Sequence, residues 1–331
     1  MKILITGADG FIGSHLSETL VKYGLKVRAF SFYSALNNRG CLEYLDKSVL
    51  KKIEILSGDI RDPFEVDLAV KNCDYVINLA ALIGIPYSYV APKNYIDTNV
   101  LGTLNILEAA RRHGVKKLVL TSTSEVYGTA QRIPISEKHP LNSQSPYAAS
   151  KVAGDQLGLS YYYSFGLPVT IIRPFNTYGP RQSGRAIIPS ILLQVFKNRK
   201  YIELGNVTPT RDFNFIDDTI DAFTKIIFSK KNTSGNIINI GSGYEISIKN
   251  LFFLIKKLLK KDIFLKQIDL RKRETSTEVE RLVADNQIAK KILNWRTKYP
   301  GTKGLEFGLK ETIRWFEKEE NFKIYKNIYN I

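Results

Sequence analysis

Short apolar runs alternate with segments of helical period through the first 173 residues. The runs are KILIT, KVRAF, IEIL, YVINLA, KKLVLTST and PVTIIRP, each of strand length, with helical stretches between them. Strands that alternate with helices predict an α/β fold, a doubly wound parallel sheet of Rossmann type. From about Pro174 the pattern loosens: FNTYGPRQSG is rich in turn residues, a helix is predicted near Pro189 to Phe196, and the C-terminal third is basic and helical. This part predicts a smaller mixed α/β lobe. DFNFID with its following helix, and NIINIG, revert to the strand and helix pattern and predict a return to the first sheet. The expected division is therefore interleaved, with residues 1–173 and about 212–241 in the large domain and about 174–211 and 242–331 in the smaller lobe.

Composition adds bounds to this picture. A chain of 331 residues, 44% hydrophobic and 24% charged, can bury a sizeable core. No apolar run approaches the roughly 18 residues of a membrane span, so no membrane association is expected. The N-terminus enters a strand directly, which leaves no room for an export signal and predicts a cytoplasmic location. Cys41 and Cys73 are expected as free thiols, and with three histidines no metal site is expected. The net charge of +16 allows an anionic partner such as nucleic acid, but scattered solvated lysines account for it more simply. Its lysines are scattered through segments such as KKLLKK and FEKEENFKIYK without a nucleic-acid motif, so no nucleic acid is expected and a doubly charged small molecule suits the field better.

After KILIT comes GADGFIGSHL, with Gly7, Gly10 and Gly13 ahead of an amphipathic helix. Glycines there permit a tight turn, a close approach of backbone to a pyrophosphate and close packing of helix on strand, while the helix N-terminus faces the negative charge. The setting predicts dinucleotide binding, with a GxxGxxG spacing rather than GxGxxG. The second strand ends in Phe30, Ser31, Phe32 and Tyr33, where an acid would hold the adenosine ribose. Arg28 or Arg39 could accept a 2′-phosphate instead, so NAD and NADP both stay open. Asp59 is placed either to meet the adenine edge or to cap the next helix.

Three Tyr-x-x-x-Lys pairs occur, at Tyr89/Lys93, Tyr147/Lys151 and Tyr299/Lys303. The first and third enclose a proline and cannot sit on an unbroken helix, whereas SPYAASKVAGDQL starts with proline and places Tyr147 and Lys151 on one face. A phenol with a pKa near 10 needs about 2.7 kcal/mol to fall by roughly two units, which a nearby ammonium and a positive nicotinamide ring can supply. KKLVLTST ends at Thr123, Ser124 and Glu125, at the carboxyl edge of the sheet, where Glu125 is a candidate general base or a cap of the following turn.

With GxxGxxG, NLAA at Asn78 to Ala81, Thr123 at a strand end and the Tyr147/Lys151 pair, the sequence resembles the extended short-chain dehydrogenase/reductases that act on nucleotide sugars. The resemblance implies that Thr123, Tyr147 and Lys151 form the hydride-transfer machinery. It implies a catalytic set completed by Ser124 and Glu125, and cofactor contacts at Gly7, Gly10, Phe11, Ile12, Gly13, Asp59, Ile60, Leu79, Ala80, Ala81, Asn99, Tyr147 and Lys151, with Asn99 also a support at a kink of an interface helix. It also implies substrate contacts at Asn176, Arg181, Arg185, Arg211, Arg273 and Glu278, and a homodimer built on helices around Tyr95 to Arg112 and Pro146 to Phe165. Glu125 argues against the 4-epimerases of the family, which carry small residues there. Ser124-Glu125 and the segment TEVERLVADNQIAKKILNW resemble GDP-mannose 4,6-dehydratases, and LAALIGIPYSY, TSTSEVYGTAQ and RPFNTYGPRQSGRAIIP resemble the 4,6-dehydratases of legionaminic acid biosynthesis. This implies 4,6-dehydration of a GDP- or UDP-linked N-acetylglucosamine, GDP preferred, with NAD or NADP as cofactor. UDP-glucuronate decarboxylation, 4-epimerisation and a non-catalytic dinucleotide-binding protein are the alternatives.

Overall fold

The computed structural model describes residues 1–269, 277–322 and Tyr325. The predicted strands of the first half are present as β1 (Lys2–Thr6), β2 (Lys26–Phe32), β3 (Ile53–Gly58), β4 (Tyr75–Asn78), β5 (Lys117–Thr121) and β6 (Val169–Pro174). The remaining strands are β7 (Asn176–Tyr178), β8 (Tyr201–Leu204), β9 (Thr210–Phe215), β10 (Ile237–Ile240), β11 (Glu245–Ser247) and β12 (Phe264–Gln267). Seven of them form one sheet in the order β10-β6-β5-β4-β1-β2-β3, with every pairing parallel.

The apolar runs are continuous because both faces of this sheet are covered. Ile3 and Ile5 enter one core cluster with Val27, Ala29, Ile77 and Val119, while Leu4 between them enters another with Val76, Leu118 and Leu120. Helix α1 (Phe11–Lys22) closes the first cluster with Leu16 and Leu20, and helix Gly102–Arg112 closes the second with Ile106, Leu107 and Ala110. Each Val, Leu and Ile among them contributes on the order of 1.5–3 kcal/mol by leaving water. The strand order reverses between β1 and β4, which opens a crevice at their carboxyl ends.

One predicted placement is corrected. NIINIG does return to the large sheet as β10, but DFNF does not: β9 sits in a separate three-stranded sheet, parallel to β7 and antiparallel to β11. The helix that follows it, Ile216–Phe228, packs back on the large domain, placing Phe223 and Ile227 in the same core cluster as Leu16 and Leu20 of α1. β8 and β12 make a further parallel pair. The segment from Glu278 to Asn286 crosses between these units, bonding Thr210, Ile135 and Gly241 along its length.

Candidate active site

The glycine loop closes over the crevice. Gly7 has φ +62°, and a Cβ there would meet the Ala80 amide nitrogen at 2.8 Å, so the loops after β1 and β4 touch backbone to backbone. At Gly13 a Cβ would lie 2.2 Å from the Gly7 carbonyl oxygen, which fixes how closely α1 approaches its strand. Gly10 caps α1 without a side-chain hydrogen bond, and no acid stands in the first turn. Phe11, Ile12 and Gly13 thus begin a 12-residue helix whose N-terminal amides are free of any side-chain cap. Backbone that only glycine allows, at the positive end of a helix dipole, fits a dinucleotide phosphate.

The loop after β4 is fixed from two sides. Thr6 Oγ1 donates to Asn78 Oδ1 (2.6 Å) and accepts from the amides of Leu79 (3.2 Å) and Ala80 (3.1 Å). Asn99 lies in a π-helical turn, Ile96–Leu101; its side chain accepts from the Leu82 amide (2.8 Å) and donates to the Leu82 carbonyl (2.9 Å) and to Ser150 Oγ (2.9 Å). Ala81, on the same loop, directly precedes that anchor point.

Tyr147 and Lys151 lie on helix Pro146–Phe165, which starts with Pro146 and is capped by Ser145 Oγ accepting from the Ala148 amide (3.1 Å). Burial pushes the Tyr147 phenol above its ordinary value; its hydrogen bond to Thr123 pulls the other way, and the Glu125 carboxylate adds to the rise. Lys151 Nζ donates to the Thr121 carbonyl (2.5 Å), and burial lowers its pKa to about 8. Among the chain's own groups, burial is the largest influence on the phenol. Thr123 caps the short turn Ser124–Tyr127 and accepts from the Glu125 amide (3.2 Å). Ser124 is buried, and the half-buried Glu125 carboxylate makes no hydrogen bond or ion pair among the described residues.

The structure brings Thr123, Glu125, Tyr147 and Lys151 together. It treats the other sequence candidates differently. Arg28 is spent on the carbonyls of Ala69 (2.8 Å) and Lys71 (2.8 Å) and on Glu54, so it is not available to a 2′-phosphate. Asp59 follows β3 but its carboxylate is held by Arg61; the cap of the next helix is Asp62. Ile60 is buried under Gly102 of the neighbouring helix. Arg181, at φ +68°, is turned onto α1, where Nη2 pairs with Glu18 (2.7 Å), and only its buried Nε and Nη1 lack partners. Arg211 and Glu278, expected on the substrate, pair with each other at 3.2 Å and are both buried. Arg185 is exposed, with its guanidinium beside Gly84 and Tyr95. The Asn176 amide nitrogen is buried with no hydrogen-bond partner among the described residues. Arg273 lies outside the described residues.

Sequence reasoning missed Tyr95 and Asp155. Tyr95 is fully buried, donates to the Gly84 carbonyl (2.5 Å), and sets its ring edge-on to Tyr147 at 6.2 Å. Asp155 continues the spacing of 147 and 151 by another four residues, a signal that was in the sequence.

A family model described as GDP-mannose 4,6 dehydratase matches residues 4–307 of the chain. The chain belongs to the nucleotide-sugar epimerase/dehydratase family of extended short-chain dehydrogenase/reductases. Members similar to it include the UDP-glucuronate 4-epimerase of Thermodesulfobacterium geofontis, 33% identical over 98% of either chain, and the human dTDP-D-glucose 4,6-dehydratase, 31% identical over 99% of this chain and 92% of that one. The solved dTDP-glucose 4,6-dehydratase of Streptomyces venezuelae superposes with a TM-score of 0.87 at 27% identity, covering 97% of this chain and 98% of that one, and it holds NAD. Among the described residues no helix is long and apolar enough to cross a membrane.

Proposed function

We propose that the chain is a 4,6-dehydratase of a nucleotide-linked N-acetylhexosamine, with GDP-N-acetylglucosamine favoured over the UDP form. The observation that carries the reading is Glu125, an unpaired carboxylate whose charge acts on the buried Tyr147 phenol. A 4-epimerase needs no base at carbon 5; a dehydratase does. The nucleotide preference and a place in legionaminic acid biosynthesis rest on likeness in the substrate-lobe sequence.

NAD is the proposed cofactor, held by the glycine loop, the N-terminus of α1, and the loop from Leu79 to Ala81 that Asn99 anchors. The engagement of Arg28 removes one of the two arginines offered for a 2′-phosphate, and NAD is the cofactor in the solved relatives. When bound, the cofactor would supply hydride storage, so that oxidation at carbon 4 and reduction at carbon 6 cancel, and a positive charge that favours the phenolate.

Tyr147 takes the proton of the 4-hydroxyl, with Thr123 bonded to both phenol and hydroxyl, and a 4-ketone results. The ketone acidifies the hydrogen on carbon 5, and Glu125 removes it. The carbon 6 hydroxyl then leaves as water, its proton supplied by Glu125 or a water because Ser124 carries no acid. With carbon 5 reprotonated by Glu125 or water as carbon 6 is reduced, the product is a 4-keto-6-deoxy sugar, one water lighter, with no net redox change. Asn176, with its unpartnered buried amide, is the substrate contact the structure supports best.

The enzyme is proposed to act as a homodimer through the helices around Tyr95 to Arg112 and Pro146 to Phe165, on which Ile96, Leu101 and Tyr163 are exposed. The test of activity is incubation with GDP-, UDP- and dTDP-sugars followed by product mass. Loss of water supports the reading, while loss of carbon dioxide, or an unchanged mass with inverted stereochemistry, would replace it with a decarboxylase or an epimerase. The epimerase outcome has its own support in the relative from Thermodesulfobacterium geofontis.

A further inference from the structure

Behind the reacting residues lies a buried polar chain that the proposed reaction does not use. Asp155 Oδ2 accepts from Arg173 Nε (3.0 Å), Arg173 Nη2 (2.8 Å) and Ser122 Oγ (2.9 Å). Arg173 Nη1 donates to the Tyr127 hydroxyl (2.8 Å), whose ring it also covers at 4.9 Å, and Tyr127 donates to Asn239 Oδ1 (2.7 Å). The side chains of Arg173 and Asp155 are 1% and 3% exposed. Such a pair is costly to bury, and replacing it with apolar residues of similar volume is often neutral or better. Its presence next to the site points to a task other than holding the fold.

The geometry suggests that task. Tyr147, Lys151 and Asp155 follow one another at four-residue spacing on one helix, so they share a face. Lys151 and Asp155 line the same small cavity, together with Asn99 and Thr121. We propose that Asp155, kept as a carboxylate by Arg173 and Ser122, is a positioning residue that holds Lys151 as an ammonium beside Tyr147. This rests on the assignment of Tyr147 and Lys151 as the reacting pair.

The electrostatics agree. Burial strips Lys151 of hydration and drives it toward the neutral amine, and the Asp155 charge is what opposes this. Burial likewise pushes Asp155 upward, opposed by Arg173, Ser122 and Lys151. Three donors on one oxygen are a carboxylate's pattern, and a neutral Asp155 would leave Arg173 an uncompensated buried cation. Other titratable groups around this cluster include Tyr127, which bonds Arg173, and Tyr95 and Glu125, which act on Tyr147; Glu137 acts on Tyr127, and the His139 ring lies edge-on to it at 5.7 Å. Asp155 is the carboxylate that acts on Lys151 itself.

The test reads Lys151 directly. A small acylating reagent modifies only the neutral amine, so its rate at Lys151, followed peptide by peptide by mass spectrometry across pH, reports the titration of that residue. In the parent chain the midpoint is expected at about 8. Asp155→Asn should move it down by at least about one unit, and Asp155→Glu should restore it. If Asp155→Asn does not fold because Arg173 loses its partner, the double variant Asp155→Asn, Arg173→Gln removes both charges and should show the same shift. A midpoint unmoved in the folded variants overturns the proposal, whatever happens to melting temperature. The readout needs no sugar nucleotide, so it stands apart from the test of the dehydratase reading.

Discussion

Asn99 Nδ2 donates to Ser150 Oγ at 2.9 Å, which ties the π-helical turn to the helix between Tyr147 and Lys151. The same amide holds the backbone of Leu82 at both its N–H and its carbonyl. One side chain thus fixes the loop after β4 relative to Tyr147 and Lys151.

Asn99→Ala should leave these buried groups unpaired and cost about 1–3 kcal/mol of stability, with a loss of turnover larger than the loss of cofactor affinity. Thermal melting alongside cofactor titration checks this. Melting that matches the parent would show that the loop is held elsewhere.

On the proposed mechanism, Glu125→Gln should stop water loss while reduction of bound cofactor on adding substrate survives, because there the base at carbon 5 acts after the first hydride step. Tyr147→Phe should instead abolish the reduction itself. Cofactor absorbance and product mass, measured on both variants, separate the two steps. Unimpaired dehydration by the Gln variant would remove Glu125 from the mechanism.

Gly13→Ala places a methyl 2.2 Å from the Gly7 carbonyl oxygen, against backbone that cannot yield without moving α1 from its strand. Cofactor affinity should fall at least about tenfold, roughly 1.4 kcal/mol. Calorimetric titration of NAD into both proteins is the measurement, and equal affinity would show that the helix can be displaced without harm to the phosphate site.

His15 joins α1 to the loop before Arg181, its Nε2 donating to the Pro180 carbonyl at 3.0 Å. Burial, helped by the Arg181 charge, lowers the imidazole from 6.5 to about 4. Between these values the unfolded chain binds a proton that the folded chain refuses, so stability rises with pH across the window and the penalty is complete below its lower end. His15→Gln should flatten the dependence of melting temperature on pH between about 4 and 6.5 relative to the parent. Parallel curves would mean that the ring is protonated in the native state.

Much of this was legible in the sequence. The strands β1 to β6 stood out because both faces are buried, which leaves uninterrupted apolar runs, and Pro146 marked the start of the helix that carries Tyr147 and Lys151. What escaped depended on contacts between distant elements. DFNF has the same alternation whichever sheet it joins, and only pairing with Asn176–Tyr178 and Glu245–Ser247 decides its place. Arg181 looked free to meet a phosphate, but its left-handed backbone turns it toward Glu18. Arg28 gave no sign that it would be consumed by carbonyls some forty residues away.

The segment from Glu278 to Asn286 gives the molecule an order of completion. Its Glu280 and Val283 carbonyls accept from Thr210 and Ile135, its Asp285 amide donates back to Ile135, and Asn286 clasps Gly241. On the ribosome the glycine loop, Thr123, Tyr147 and Lys151 all emerge more than a hundred residues before this clasp exists. A nascent chain therefore holds the glycine loop, Thr123, Tyr147 and Lys151 well before the strap that joins its separate sheets can close.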